Sequence, residues 1–427
     1  MHIYFSGIGG LGIGPLAFIA QDQGYEVSGS DVQESSLTKL VEARGIRVSI
    51  DQTGEQIANV HAHSPIDWVV FSSSLPQDHP ELMFAREHNI KLTKRDEFTN
   101  FVIEKNDLKL VAISGTHGKT TTTSMLIWLT HELKQPISYS VGATLSFGAY
   151  AQLQQGSKYF IYECDEYDRN FLAYHPYLGV ITSVDYDHPD TYPAEKDYRE
   201  AFKQFTDQCE HLVIWEDDQD KLDSDPSKAE TLSYKNVPDR QQLPLAGEHK
   251  RQNAYLALIA YRQLTELKQP DDNELLEILA GYPGADRRFE LLASKPSGGQ
   301  VYSDYGHHPK EIKSTLQMAS ELSDNVVVVY QPHQNLRQHT IADIYKDSFN
   351  QAKRVFWLPT YLTREDSSLP TLSREELIQK LDNPNIAEPA DLNDELVKKV
   401  EAELDKGALV IFMGAGSIDD WARTHFS

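Results

Sequence analysis

The chain has 427 residues, 40% hydrophobic and 24% charged, which suits two to four globular domains with cores of their own. Its net charge of −24 repels nucleic acid and anionic membrane at long range. No apolar run reaches the about eighteen residues of a membrane span, and the two cysteines, Cys164 and Cys209, suit a reducing compartment, so the expected location is the cytoplasm.

The first element, "HIYF", reads as a strand feeding a glycine turn and not as a signal peptide. Gly7, Gly9 and Gly12 fit the G-x-G-x-x-G pattern, and Asp31 of "VSGSD" follows 19 residues after Gly12. Alone, this stretch predicts a dinucleotide whose pyrophosphate rests on a helix N-terminus. "PLAFIAQDQ" and "SLTKLVEARG" read as helices, and "YEVSGSD" and "DWVVFSSSL" as strands. The alternation predicts a doubly wound, mostly parallel sheet.

A second unit opens with strand, loop and helix in "LKLVAISGTHGKTTTTSMLIWLTHEL". Gly115, Thr116, Gly118, Lys119, Thr120 and Thr121 make a variant P-loop, because the standard spacing places a glycine at 113, where isoleucine stands. In such a loop backbone N–H groups cradle phosphate, lysine neutralises it and a hydroxyl meets Mg²⁺. The bland alternative is a glycine turn before a threonine-rich helix. A dehydrogenase has little use for a P-loop, so two phosphate loops favour ATP-driven joining of a nucleotide-linked substrate.

The strands "KYFIYEC" and "YLGVITSVDYDH" end in acidic clusters: Glu163, Asp165, Glu166 and Asp168, then Asp185, Asp187, His188 and Asp190. Ligands gather at such carboxyl ends, and Mg²⁺ takes oxygen donors, although each cluster alone also reads as a cap or polar turn. "EDDQDKLDSDPSKAE" reads as a surface excursion and "NAYLALIAYRQL" as an amphipathic helix. A third unit begins near Tyr282, with strands "GQVYSDYG", "NVVVVYQPH", "RVFWLP" and "ALVIFMGAG" and the helix "HPKEIKSTLQMASEL". Three α/β domains are predicted.

In order along the chain, "GIGGLG", "VSGSD", "GTHGKTTTTSM", "ECDEYDRNFL", "DHPDTY", "RRFE", "DYGHHPKEI", "QPH" and "GAGSI" resemble the Mur ligase family from end to end. The resemblance implies a Rossmann-like UDP-sugar domain over 1–103, a P-loop ATPase domain over 104–283 and a Rossmann-like amino-acid domain over 284–427. It implies a ligase for peptidoglycan precursors, using ATP and Mg²⁺. The lactyl carboxylate of UDP-N-acetylmuramate becomes an acyl phosphate, which a free amino acid then attacks. "DYGHHP" points to L-alanine over a ready-made tripeptide. Neither nucleic acid nor membrane insertion is expected, and the assembly is a monomer or a homodimer.

Residue by residue, the resemblance gives Gly7, Gly9, Gly10, Gly12, Asp31 and Ser72 to the UDP-sugar. It gives Gly115, Thr116, Gly118, Lys119, Thr120, Thr121, Asn253 and Asp304 to ATP, with Asn253 on adenine and Asp304 on the ribose. Thr120, Glu163 and His188 would hold metal. Lys119, His188, Arg287 or Arg288, and His308 would be catalytic, with His307 and His308 equally readable as helix-start residues before Pro309. Arg337 and His333 would meet the amino acid. Lys203 reads as a surface lysine, although some sister ligases carry a carbamylated lysine in this neighbourhood.

The chain departs from the family pattern at Lys250, where an asparagine is usual, at Ser303 for an aspartate, and at Gln334 for an arginine. A lost guanidinium is a lost bidentate carboxylate clamp, which opens serine and glycine as acceptors. Three rivals stand beside the ligase. Folate polyglutamylation lacks the first domain, an NAD-dependent oxidoreductase leaves Lys119 and Glu163 idle, and a nucleotide-gated binding protein would rest on Lys250 and Gln334.

Overall fold

The computed structural model describes residues 1–72, 75–363, 365 and 368–426; Ser73 and Ser74, part of the predicted strand "DWVVFSSSL", lie outside the described residues. It is an α/β fold of three domains, each built on one sheet. The first sheet holds β1 (His2–Ser6), β2 (Glu26–Ser30), β3 (Arg47–Ser49), β4 (Trp68–Phe71) and β5 (Lys91–Lys94), all parallel, in the order β3-β2-β1-β4-β5. The order reverses between β1 and β4, so a crevice opens there at the strand ends. The Gly7–Gly12 turn follows β1 into that crevice.

The second sheet holds β6 (Lys109–Ser114), β7 (Ser138–Ser140), β8 (Ala151–Gln152), β9 (Tyr159–Glu163), β10 (Leu178–Ile181), β11 (His211–Trp215) and β12 (Ala229–Leu232). Its order is β12-β11-β10-β6-β9-β7-β8, with only β7 and β8 antiparallel. β6 lies between β9 and β10. The loop after β6 therefore meets the carboxylates that end β9 and Asp185 after β10.

The third sheet holds β13 (Arg288–Ser294), β14 (Gln300–Asp304), β15 (Val326–Tyr330), β16 (Arg354–Trp357), β17 (Ala387–Pro389) and β18 (Leu409–Met413). Its order is β13-β14-β18-β15-β16-β17, with β13 antiparallel to β14. The unbroken run "VVVVY" is explained by burial on both faces. Val326, Val328 and Tyr330 join one core with Ile411, and Val327 and Val329 join the opposite core with Val410.

The chain packs as two compact units. One comprises Met1–Tyr186, Ala194–Asn236 and Leu256–Leu279 and carries the first two sheets; the other comprises Asp187–Pro193, Val237–Tyr255 and Ala280–Ser427 and carries the third. The expected surface excursion "EDDQDKLDSDPSKAE" is mostly exposed, and it contains the helix Glu216–Leu222 and leads into edge strand β12. Acidic residues in its first turn suit the helix dipole, and buried Leu222 and Leu232 anchor it. Two apolar anchors in so polar a stretch leave no readable period.

Candidate functional site

The loop after β6 is shaped by two glycines with left-handed φ, Gly115 at +137° and Gly118 at +84°, the latter immediately before the helix Lys119–Glu132. A Cβ on Gly115 would overlap Thr182 Oγ1 and crowd Ser183, so no other residue fits there. Thr116, buried, shares its hydroxyl with Tyr198 at 2.8 Å and the Asp185 carbonyl at 2.7 Å. Lys119 Nζ donates to the Gly115 carbonyl at 2.5 Å and to the two oxygens of Glu166 at 2.8 and 3.1 Å. Burial opposes the ammonium charge, but Glu166, with Asp165 and Glu163 beyond it, outweighs that and holds Lys119 above the ordinary lysine range.

Thr120 and Thr121 are buried in the first turn of that helix. Thr120 Oγ1 donates to Glu163 Oε1 at 2.8 Å, and the Gly142 N–H donates to Glu163 Oε2 at 2.7 Å. Among the described residues no three His, Cys, Asp or Glu side chains converge as a metal site. Thr120 and Glu163 are an all-oxygen pair beside a phosphate-type loop. That donor chemistry fits Mg²⁺, which keeps its other positions for phosphate and water.

In the first sheet, Gly7 has φ +86° and its N–H donates to the Ser30 carbonyl at 2.9 Å. Asp31 stands at the end of β2 and accepts from the N–H groups of Gly9 and Val32, each at 2.8 Å, so it organises the turn. Gly10 N–H closes the turn on the Gly7 carbonyl, and Ser72 Cβ lies 3.5 Å from where a Gly7 Cβ would stand. A Cβ on Gly12 would overlap the Arg95 guanidinium. Beneath the turn, fully buried Glu81 accepts from the hydroxyls of Tyr4 at 2.7 Å, Ser30 at 2.8 Å and Ser6. Burial and the Glu81 charge push the Tyr4 phenol well above its ordinary range.

The second unit gathers another set. Asp187 pairs with Arg337 at 3.4 Å and accepts the His188 N–H at 2.7 Å. Although burial opposes its ionisation, Arg337, with His188 and His307, holds the Asp187 carboxyl below the usual carboxylate range. The His307 and His333 rings lie 5.7 Å apart, and burial together with Arg337 pushes His307 down to about 3. His308 caps the helix Pro309–Ser320, accepting from the Lys310 N–H at 3.3 Å.

Arg287 donates to the Gly414 carbonyl at 2.9 Å; its guanidinium and that of Arg288 lie over the Tyr305 ring, at 4.7 and 5.2 Å. Asp304 is buried and accepts from the N–H groups of Phe289 and Gly306, each at 2.9 Å, and from Thr315 at 3.2 Å; burial raises its pKa above the ordinary aspartate value. Asn253 is buried in the helix Glu248–Gln263; Lys250 of that helix points at the Phe289 ring, 5.7 Å away. Lys203 pairs with Asp207 one helical turn on, on an exposed face.

Of the expected residues, Lys119, Thr120 and Glu163 come together, and His188 belongs with Asp187 and Arg337 in the second unit. Sequence reading missed Glu166 as the partner of Lys119, Arg95 against Gly12, and Glu81 under the glycine turn. Arg95 had a signal: a cation as the first residue of a helix opposes the helix dipole. Glu81 had none, because an acid in a first turn is ordinary.

Fold and site define a three-domain, mostly parallel α/β protein with glycine turns after the first strands of two sheets. Residues 2–105 match the Mur ligase family, catalytic domain, residues 113–242 the Mur ligase middle domain, and residues 287–416 the Mur ligase, glutamate ligase domain. The chain belongs to the Mur ligase family. It is 32% identical to the UDP-N-acetylmuramate–L-alanine ligase of Carboxydothermus hydrogenoformans, with 98% of this chain and 95% of that one covered. It is also 32% identical to the enzyme of the same name from Clostridium beijerinckii, with 97% and 95% covered. The crystal structure of the UDP-N-acetylmuramate–alanine ligase of Thermotoga maritima shares the fold, with a TM-score of 0.81 at 23% identity over 100% of this chain and 98% of that one. Among the described residues no helix is long and apolar enough to cross a membrane.

Proposed function

We propose that this chain is an ATP-dependent ligase of the cytoplasm that joins L-alanine to the lactyl carboxylate of UDP-N-acetylmuramate, in the making of peptidoglycan precursors. The observation that carries the reading is the Lys119 ammonium at a double-glycine turn beside the Thr120–Glu163 pair, in a chain that matches ligases of that name over nearly their whole length. In this reading the domains are 1–103, 104–283 and 284–427, for sugar nucleotide, ATP and amino acid in turn.

The substrate carboxylate is a weak, anionic nucleophile facing an anionic phosphate, so catalysis consists of positioning and charge neutralisation. The turn Gly7–Gly12, with Asp31 and Ser72, orients the UDP diphosphate. Lys119 neutralises the transferring phosphoryl group, and Arg287 or Arg288 stabilises its charge in flight. The carboxylate oxygen bonds to the γ-phosphorus and ADP departs. The amine then attacks the acyl carbon and phosphate leaves. Asn253 and Asp304 hold the nucleoside of ATP, and Arg337 with His333 receives the amino acid, near His308. Thr120 and Glu163 would hold Mg²⁺, and His188 a second ion; such ions would supply charge neutralisation on the phosphates.

The test is phosphate release from ATP with UDP-N-acetylmuramate, Mg²⁺ and a panel of amino acids including alanine, serine and glycine. Release that needs both the sugar nucleotide and alanine is expected. Release that follows serine or glycine instead would move the specificity to the Gln334 departure. No release from protein that binds both nucleotides would favour the binding-protein reading.

A further inference from the structure

Arg95 sits where local chemistry disfavours it. It is the first residue of the helix Arg95–Lys105, at the positive end of the dipole, in a turn otherwise supplied with Asp96 and Glu97. Its guanidinium lies so close over Gly12 that a Cβ there would overlap Nη1. Its other terminal nitrogen, Nη2, is 3.6 Å from Asp165 Oδ2, and its buried Nε has no hydrogen-bond partner among the described residues. Asp165 directly precedes Glu166, the residue that grips Lys119. One largely buried cation thus touches the glycine turn of the first sheet and the acidic segment of the second.

The adjoining contacts run the same way. Lys94 pairs with Asp168 at 3.7 Å, and Asn100 of the same helix donates to the Ala173 carbonyl at 3.0 Å. The segment they hold contains Asp168 and Arg169, both in the left-handed region, at φ +53° and +56°. Such backbone persists only where its surroundings over-determine it.

We propose that Arg95 is a positioning residue that couples the two phosphate loops: it stands against the diphosphate turn at Gly12 while neutralising Asp165 beside the Lys119–Glu166 pair. The inference rests on the reading of both loops given above. Its consequence has a definite sign. Without Arg95 an uncompensated Asp165 carboxylate faces the ATP loop, next to Glu163 and Glu166, and repels the triphosphate. ATP binding then weakens through a residue that belongs to the other loop.

The probes are UDP-N-acetylmuramate and the non-hydrolysable β,γ-methylene analogue of ATP with Mg²⁺, each titrated alone by calorimetry into the full chain. Arg95→Met, which keeps the aliphatic stem, is expected to weaken both ligands by about tenfold, within the range of ordinary site–site coupling. Adding Asp165→Asn restores the ATP analogue to within about twofold of wild type and leaves the sugar nucleotide weak. Arg95→Lys keeps the ATP analogue near wild type, a rescue that a merely structural role would not predict. Should Arg95→Met not fold, Asp165→Asn alone tests the same charge: tighter binding of the ATP analogue is expected.

Unchanged ATP-analogue affinity in a folded Arg95→Met protein overturns the proposal, as does failure of Asp165→Asn to restore it in the double variant or to tighten it alone. Wild-type protein that binds neither probe would instead overturn the reading of the loops, and this inference with it.

Discussion

Lys119→Met is expected to do more than stop turnover, because it takes away the cation that faces a buried carboxylate. Glu166 is fully buried, and besides the Lys119 ammonium it accepts from the Tyr198 hydroxyl at a long 3.4 Å. Removing one member of a buried ion pair typically costs about 3–5 kcal/mol, because the other stays desolvated and unpaired. Lys119 is 15% exposed at its side chain, which favours the lower end, about 3 kcal/mol. Lys119→Met with Glu166→Gln removes both charges and should return most of that stability, since a neutral pair of similar volume carries no such penalty. Urea unfolding reads the stability, phosphate release the activity, and calorimetry the binding of UDP-N-acetylmuramate. Both variants lose turnover, and the sugar nucleotide still binds, because its loop lies on another sheet.

The pH dependence gives the single variant a signature of the opposite sign to ordinary acid denaturation. A buried carboxyl that has lost its neighbouring cation has its folded pKa raised by desolvation, so the native state holds a proton that the unfolded state has lost. Stability is then present at low pH and lost as pH rises toward the raised value. A Lys119→Met protein that unfolds with wild-type midpoint and slope, or a double variant as unstable as the single one, would refute the pairing argument.

Three further outcomes are expected. Gly142→Ala would place a Cβ 3.0 Å from both Glu163 carboxylate oxygens and push them from Thr120, so the Mg²⁺ concentration for half-maximal phosphate release should rise several-fold; an unchanged Mg²⁺ dependence would remove Glu163 from that role. Burial, with Lys250 and Arg251, pushes His249 down to about 3, and burial with Arg337 does the same to His307. Their unfolded forms gain protons first as pH falls below about 6.5, so stability should decline from there toward pH 3, by at most about 1.4 kcal/mol per unit for each. His249→Gln or His307→Gln should flatten that slope in urea midpoints. Gln334→Arg should change the KM for the amino acid with little change for ATP; a KM unchanged from wild type for every amino acid of the panel would remove position 334 from the acceptor site.

What could be read locally was read from the chain. β1, β6, β15 and β18 are apolar runs closed by glycine or polar turns, and the loops after β1 and β6 carry their chemistry within a dozen residues. Pairings that depend on sheet order could not be read that way. Glu166 stands 47 residues from Lys119, among four acids of similar appearance, and only the adjacency of β9 and β6 selects it. Arg95 reaches Gly12 because helix Arg95–Lys105 starts directly after β5, at the same end of the sheet. β3, β7 and β17, at three residues each, are too short to carry a period.

Backbone strain separates helix ends from motif positions. Among the described non-glycine residues with left-handed φ, Asn89, Asp107, Lys134 and Asp223 directly end helices, where that conformation is ordinary. Asp168, Arg169, His188, Arg287 and Phe289 lie instead inside segments that carry the family resemblance, and Gln334 directly follows one. Each costs about 1–2 kcal/mol relative to right-handed backbone, so something must hold it there. At Arg287 and Phe289 the holders are visible: Glu290 accepts the Arg287 N–H at 2.8 Å, and Asp304 accepts the Phe289 N–H at 2.9 Å. Asp304 is also the residue proposed to meet the ATP ribose. One carboxylate would thus fix the turn that aims the arginines and meet the nucleotide they act on, tying the direction of the guanidinium groups to the place of the ribose.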